Sequence, residues 1–90
     1  MRLVWKPIAL EDRENIFDYI SQDNAEAAIA LDDKFEALAK NAMIHPKLYK
    51  EGRLSGTREL VVSPNYLLVY QFDEFEIQIL RVMHTSRQWP

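Results

Sequence analysis

Two observations predict an α+β fold of order βααβββ, a helical hairpin packed on a small, mainly antiparallel twisted sheet. Apolar residues recur at helical spacing from about residue 8 to residue 42, and three runs rich in Val, Leu, Ile and Tyr follow residue 57. The turns between those runs are too short for a crossover helix, so the strands pair antiparallel.

Each element has a local cause. Arg2 to Lys6 reads as a short edge strand, which Pro7 ends or hands to a helix as its first-turn proline. From Ile8 to Ser21, Leu10, Ile16, Phe17 and Ile20 share one helical face, while Glu11, Asp12, Glu14 and Asp18 fall largely elsewhere. Asp23-Asn24 offers a cap for a second helix, along which Ala28, Leu31, Phe35, Leu38 and Ala42 make a continuous stripe. His45-Pro46 stops it, because a proline disfavours helix in the residue before it and has no amide hydrogen to donate. A loop to about Thr57 is expected next. Arg58 to Ser63, Tyr66 to Phe72 and Glu76 to Met83 then read as strands, with Ser63-Pro64-Asn65 and Asp73-Glu74 as turns. In the middle strand both alternating sets are largely apolar, which places it centrally in the sheet.

Composition narrows the function classes. A length of 90 residues predicts one domain, 1–90. The absence of cysteine excludes disulfides, thiolate metal sites and a cysteine nucleophile, and suits a reducing cytoplasm. The start of the chain lacks the apolar run of a signal peptide, and no stretch is apolar enough for a membrane span. Residues 1–45 hold five Lys/Arg against nine Asp/Glu, whereas residues 46–90 hold six against five. That near-neutral second half is no magnet for a polyanion. Neither histidine has a metal-spaced neighbour, and Gly52 and Gly56 form no phosphate loop, so no cofactor or metal is expected.

The last third carries polar groups that a core does not require. Arg58-Glu59, Pro64-Asn65-Tyr66, Val69-Tyr70 and the tail Arg81, His84, Arg87, Trp89-Pro90 resemble the RelE/ParE superfamily of type II toxins, nearest its ParE and StbE-like branch. The resemblance implies a cytoplasmic toxin held inactive by a partly disordered antitoxin, contacting DNA only through that antitoxin, and poisoning either DNA gyrase or the translating ribosome.

Those two targets demand different chemistry. Ribosome-dependent cleavage of mRNA needs a base, an acid and cations for the phosphorane; Arg58, Arg81, His84 and Tyr66 are the candidates, with Trp89 as a second stacking aromatic. Yet the position where several such nucleases place a histidine holds Val61, and an acidic slot holds Asn65. A gyrase poison resembling ParE needs only a recognition surface, for which the resemblance suggests Arg58, Arg81, His84, Arg87 and Trp89, with the weight on the tail's cation and aromatic. Gyrase is therefore the favoured target. Plain structural roles stand beside these readings: Arg58 pairing with a carboxylate of the helical layer, Tyr66 and Tyr70 as core tyrosines, and His84 as a hydrogen-bonded residue just past its strand.

The antitoxin is the partner implied most firmly. Exposed sheet edges accept an added strand, and a groove between hairpin and sheet accepts an amphipathic helix. Trp5, Ile44, Leu48, Tyr49 and Leu54, with Arg81, are expected to contact it.

Overall fold

The chain turns from strand to helix at Pro7, where Lys6 takes the extended conformation that a following proline favours. A computed structural model describes residues 1–87. Its elements are β1 (Arg2–Trp5), α1 (Pro7–Ser21), α2 (Ala25–Ile44), β2 (Lys50–Glu51), β3 (Arg58–Ser63), β4 (Tyr66–Phe72) and β5 (Glu76–His84). Asn24 caps α2, its side-chain oxygen accepting the Ala27 N–H at 3.0 Å.

The sheet order is β1-β5-β4-β3-β2, with β1 parallel to β5 and the other pairs antiparallel. β4 is central, as its two apolar faces require. Leu68 and Tyr70 join Leu60, Val62, Ile77, Ile79 and Val82 against the helices, whose Ala9, Phe35, Ala39 and Ala42 are buried there. Small alanines let the hairpin lie close, and Phe35 fills the remaining depth. Leu67 and Val69 meet Met83 in a second cluster on the other face.

Three details depart from the sequence reading. Lys50–Glu51 forms a fifth strand inside the expected loop, pairing with Arg58 and Glu59. β5 continues through His84, which pairs with Tyr66 and so lies within the strand. A bulge sets Leu80 outside the register, since Val69 pairs with Arg81 while Tyr70 pairs with Ile79. Beyond that bulge β5 has outrun β1, whose register ends at Trp5 opposite Ile79. There α1 packs beside it instead. Among the described residues no helix is long and apolar enough to cross a membrane.

Candidate functional site at the end of the carboxy-terminal strand

Where β5 loses its parallel neighbour, one carboxylate takes over. Asp12 of α1 accepts Arg81 Nε at 2.8 Å, Arg81 Nη2 at 3.0 Å and the Val82 backbone N–H at 2.9 Å. The side chains are 14% and 28% exposed, so the pair is partly shielded from water. The hydrogen bond to Asp12 raises the Arg81 pKa above its usual value, with burial opposing it. Arg81 is thus bound internally along its fork.

Past Val82 the strand delivers His84 beside Tyr66, ring centroids 5.3 Å apart, and Tyr66 stands edge-on to Phe35 at 6.2 Å. His84 Nδ1 accepts the Ser86 backbone N–H at 3.1 Å, and the Ser86 hydroxyl lies 2.7 Å from the same nitrogen. A backbone N–H only donates, so Nδ1 is the acceptor in this contact. Thr85 ties the segment to the β3–β4 turn, its N–H donating to Asn65 O at 2.8 Å and its hydroxyl to Pro64 O at 2.9 Å. Arg87 donates its N–H to His84 O, and its own carbonyl accepts from Arg53 Nη1 at 3.4 Å. The Arg87 side chain is exposed. Trp89 lies outside the described residues.

Arg58 is engaged elsewhere. Its Nη1 donates to Tyr49 O at 2.7 Å and Lys47 O at 3.3 Å, and its guanidinium sits 5.8 Å from the Phe72 ring centre. It binds loop carbonyls, not the helical carboxylate that the sequence suggested. Next to it Glu59 is 4% exposed and accepts the Arg53 N–H at 3.0 Å, with Arg53 Nε 3.4 Å away. Tyr70 is fully buried and donates its hydroxyl to Pro46 O at 2.6 Å.

The residues expected at an antitoxin surface do not form one groove. Trp5 belongs to β1 at one sheet edge, its ring carrying the Arg13 guanidinium at 4.5 Å. Ile44 and Leu48, each 66% exposed, and Leu54 lie in segments flanking β2 at the opposite edge. Tyr49 is half-buried, its hydroxyl accepting from Asn41 at 2.7 Å. A shallow depression of about 240 Å³ between the helices is lined by Leu10, Arg13, Glu14, Phe17 and Asp32, none of them a candidate.

Residues 3–89 match the family described as the ParE toxin of type II toxin-antitoxin systems, parDE. The chain belongs to this family. It is 31% identical over 90 residues to the putative toxin Y4kP of Sinorhizobium fredii, covering 99% of this chain and 93% of that one. With Toxin RelE2 of Caulobacter vibrioides it shares 33% identity over 88 residues, 96% and 97% of the two chains. The ParE-type fold is shared with a chain of the chromosomal ParDE system from P. aeruginosa, at TM-score 0.81 and 22% identity over 96% and 97% of the chains. It is also shared with the YoeB/ParE toxin from Agrobacterium tumefaciens, at TM-score 0.67 and 16% identity over 96% and 100%. This ParE-family chain is therefore a toxin of a type II toxin-antitoxin system with the fold of the RelE/ParE superfamily.

Sequence reasoning singled out Arg81, His84, Tyr66 and Arg87, and the structure strings these along the end of β5 and its neighbour β4. It passed over Asp12, Arg53 and Ser86, which hold them. Asp12 looked like one more acid on a solvated helix face; its position one turn after Pro7 was the available signal, and it did not name a partner 69 residues away.

Proposed function

We propose that this toxin acts by binding DNA gyrase and blocking it after DNA cleavage, in the manner of ParE, and that a cognate antitoxin in the cytoplasm holds it inactive. On this reading residues 1–90 work as one domain, and DNA is reached only through the antitoxin.

The observation that carries the proposal is how the candidate catalytic groups are occupied. Ribonuclease chemistry needs cations open to a phosphate and a base open to a hydroxyl. Here Arg81 is held by Asp12, Arg58 by two carbonyls, and His84 Nδ1 by Ser86. Facing outward here are Arg87 and, on β3 beyond β4, the apolar Val61 at 60% exposure. Such a surface suits recognition better than proton transfer. The family match to ParE supports the same choice.

One observation favours cleavage of mRNA on the ribosome. His84 stands next to the Tyr66 ring, an imidazole beside a stacking platform. The readings separate on brief expression without antitoxin, with DNA and protein synthesis followed side by side. Early loss of DNA synthesis with trapped gyrase cleavage is expected. Immediate translation arrest with cut messages would replace the proposal.

The antitoxin contacts both sheet edges on this reading, passing Trp5 on one side and Ile44, Leu48, Tyr49 and Leu54 on the other. A partly disordered segment that folds on binding spans such separated places. Crosslinks confined to one edge would overturn it.

A further inference from the structure

We infer that Asp12 is the positioning residue for the toxin's target-contacting segment: through Arg81 and Val82 it fixes where the end of β5, from Arg81 to Arg87, stands against the target. The inference rests on the proposal that this segment contacts the target.

The geometry makes Asp12 the one described group that replaces β1 along this edge. β1 stops opposite Ile79, and the bulge at Leu80 shifts the strand's phase just beyond it. A strand edge that loses its neighbour exposes unpaired N–H groups, even where the other edge stays paired, as β5 does with β4. Asp12 prevents this by accepting the Val82 N–H with the same oxygen that accepts Arg81 Nε, while its second oxygen takes Arg81 Nη2. A bidentate fork fixes direction as well as distance, which a single charged contact does not.

The rest of the segment inherits that placement. Val82 is buried against the helices, Met83 packs on the other face, and His84 reaches Tyr66 two residues on. The downstream bonds of Ser86 and Arg87 are made to His84 itself. Pairing with β4 and the Thr85 bonds to the β3–β4 turn hold one edge of this segment, and Asp12 fixes the edge that faces α1. Arg81 acts through Asp12 as a brace, and its guanidinium is not a cation offered to the target.

The test compares Asp12→Asn, Asp12→Ala and Arg13→Gln with the unaltered toxin, using purified gyrase and supercoiled plasmid. Toxin concentrations are corrected for the folded fraction at the assay temperature. Asparagine keeps the oxygen shared by the Val82 N–H and Arg81 Nε but sets its amide donors against Arg81 Nη2, so it breaks one arm of the fork and removes the charge while sparing the strand bond. Arg13→Gln breaks a comparable pair of α1, with Asp32 and Glu36, that does not touch β5. Both Asp12 variants should lose about tenfold or more in inhibitory potency, and Arg13→Gln should lose stability without that loss.

A second readout follows the position itself. The His84 ring protons carry the ring-current shift of Tyr66, which should shrink in both Asp12 variants and persist in Arg13→Gln. Unchanged potency in Asp12→Asn, an unchanged His84 shift, or an equal potency loss in Arg13→Gln would each overturn the inference. If the unaltered toxin spares gyrase and arrests translation, the gyrase proposal fails alone, and the same variants are ranked by translation arrest.

Discussion

Replacing Tyr70 by phenylalanine removes one oxygen from the centre of the molecule and tests how the 46–49 loop is held. That oxygen donates to Pro46 O at 2.6 Å, alongside the two Arg58 bonds to Lys47 O and Tyr49 O. Leaving a shielded carbonyl without its donor costs about 1–2 kcal/mol, or roughly 5–10 °C in Tm for a chain of this size. The same hydroxyl has a second signature. Burial pushes the Tyr70 phenol up from 10.0 to about 12, against a smaller lowering by the Arg58 charge. A group whose folded pKa is raised stabilises fully below its unfolded pKa and loses that contribution as pH rises through the folded value. The unaltered protein should therefore lose about 1.4 kcal/mol from this group between pH 9 and pH 11, and the variant none of it. Urea unfolding followed by tryptophan fluorescence at several pH values measures both effects. The stability gap should be open at pH 7 and nearly closed by pH 11. A variant as stable as the parent at pH 7, or a gap that stays constant to pH 11, would refute the reasoning.

Other predictions follow from single contacts. Asn24→Ala removes the α2 cap and should lower stability by about 1 kcal/mol in the same urea assay, without changing growth arrest. Gly52→Ala would drive a new Cβ into Thr57 Oγ1 and to 3.3 Å from the Thr57 backbone, costing roughly 1–3 kcal/mol. Gly56→Ala meets no neighbour but must hold φ at 83°, so its loss should be smaller, about 1 kcal/mol. Equal Tm values for the two glycine variants would contradict that ranking. Glu59→Ala leaves the Arg53 N–H without its carboxylate and should expose the 52–57 turn, read as faster amide exchange there.

Elements driven by local pattern were legible in the sequence. The apolar stripe from Ala28 to Ala42, the stop at His45-Pro46 and the double apolar face of β4 each follow from nearest neighbours and period. Lys50–Glu51 was not, because two charged residues carry no strand pattern and pair only because β3 offers an edge. The end of β5 was misjudged for a similar reason: His84 is held in the strand by Tyr66 across the sheet, not by its own propensity. Side-chain partners were least legible. Arg81 stood out among the polar groups that a core does not require, yet its partner Asp12 is brought to it by the parallel β1 and the helix that follows. Trp5 and Leu48 looked like parts of one groove until the strand order put them at opposite edges.

The central claim is that this toxin works by a recognition surface and not by acid-base chemistry. The most direct measurement incubates purified toxin with gyrase, ATP and supercoiled plasmid, and in parallel with translating ribosomes and a defined message. Linear plasmid that accumulates with toxin concentration, while the message stays intact, is the predicted result. Cleaved message with unperturbed gyrase, abolished by His84→Ala, would contradict the account.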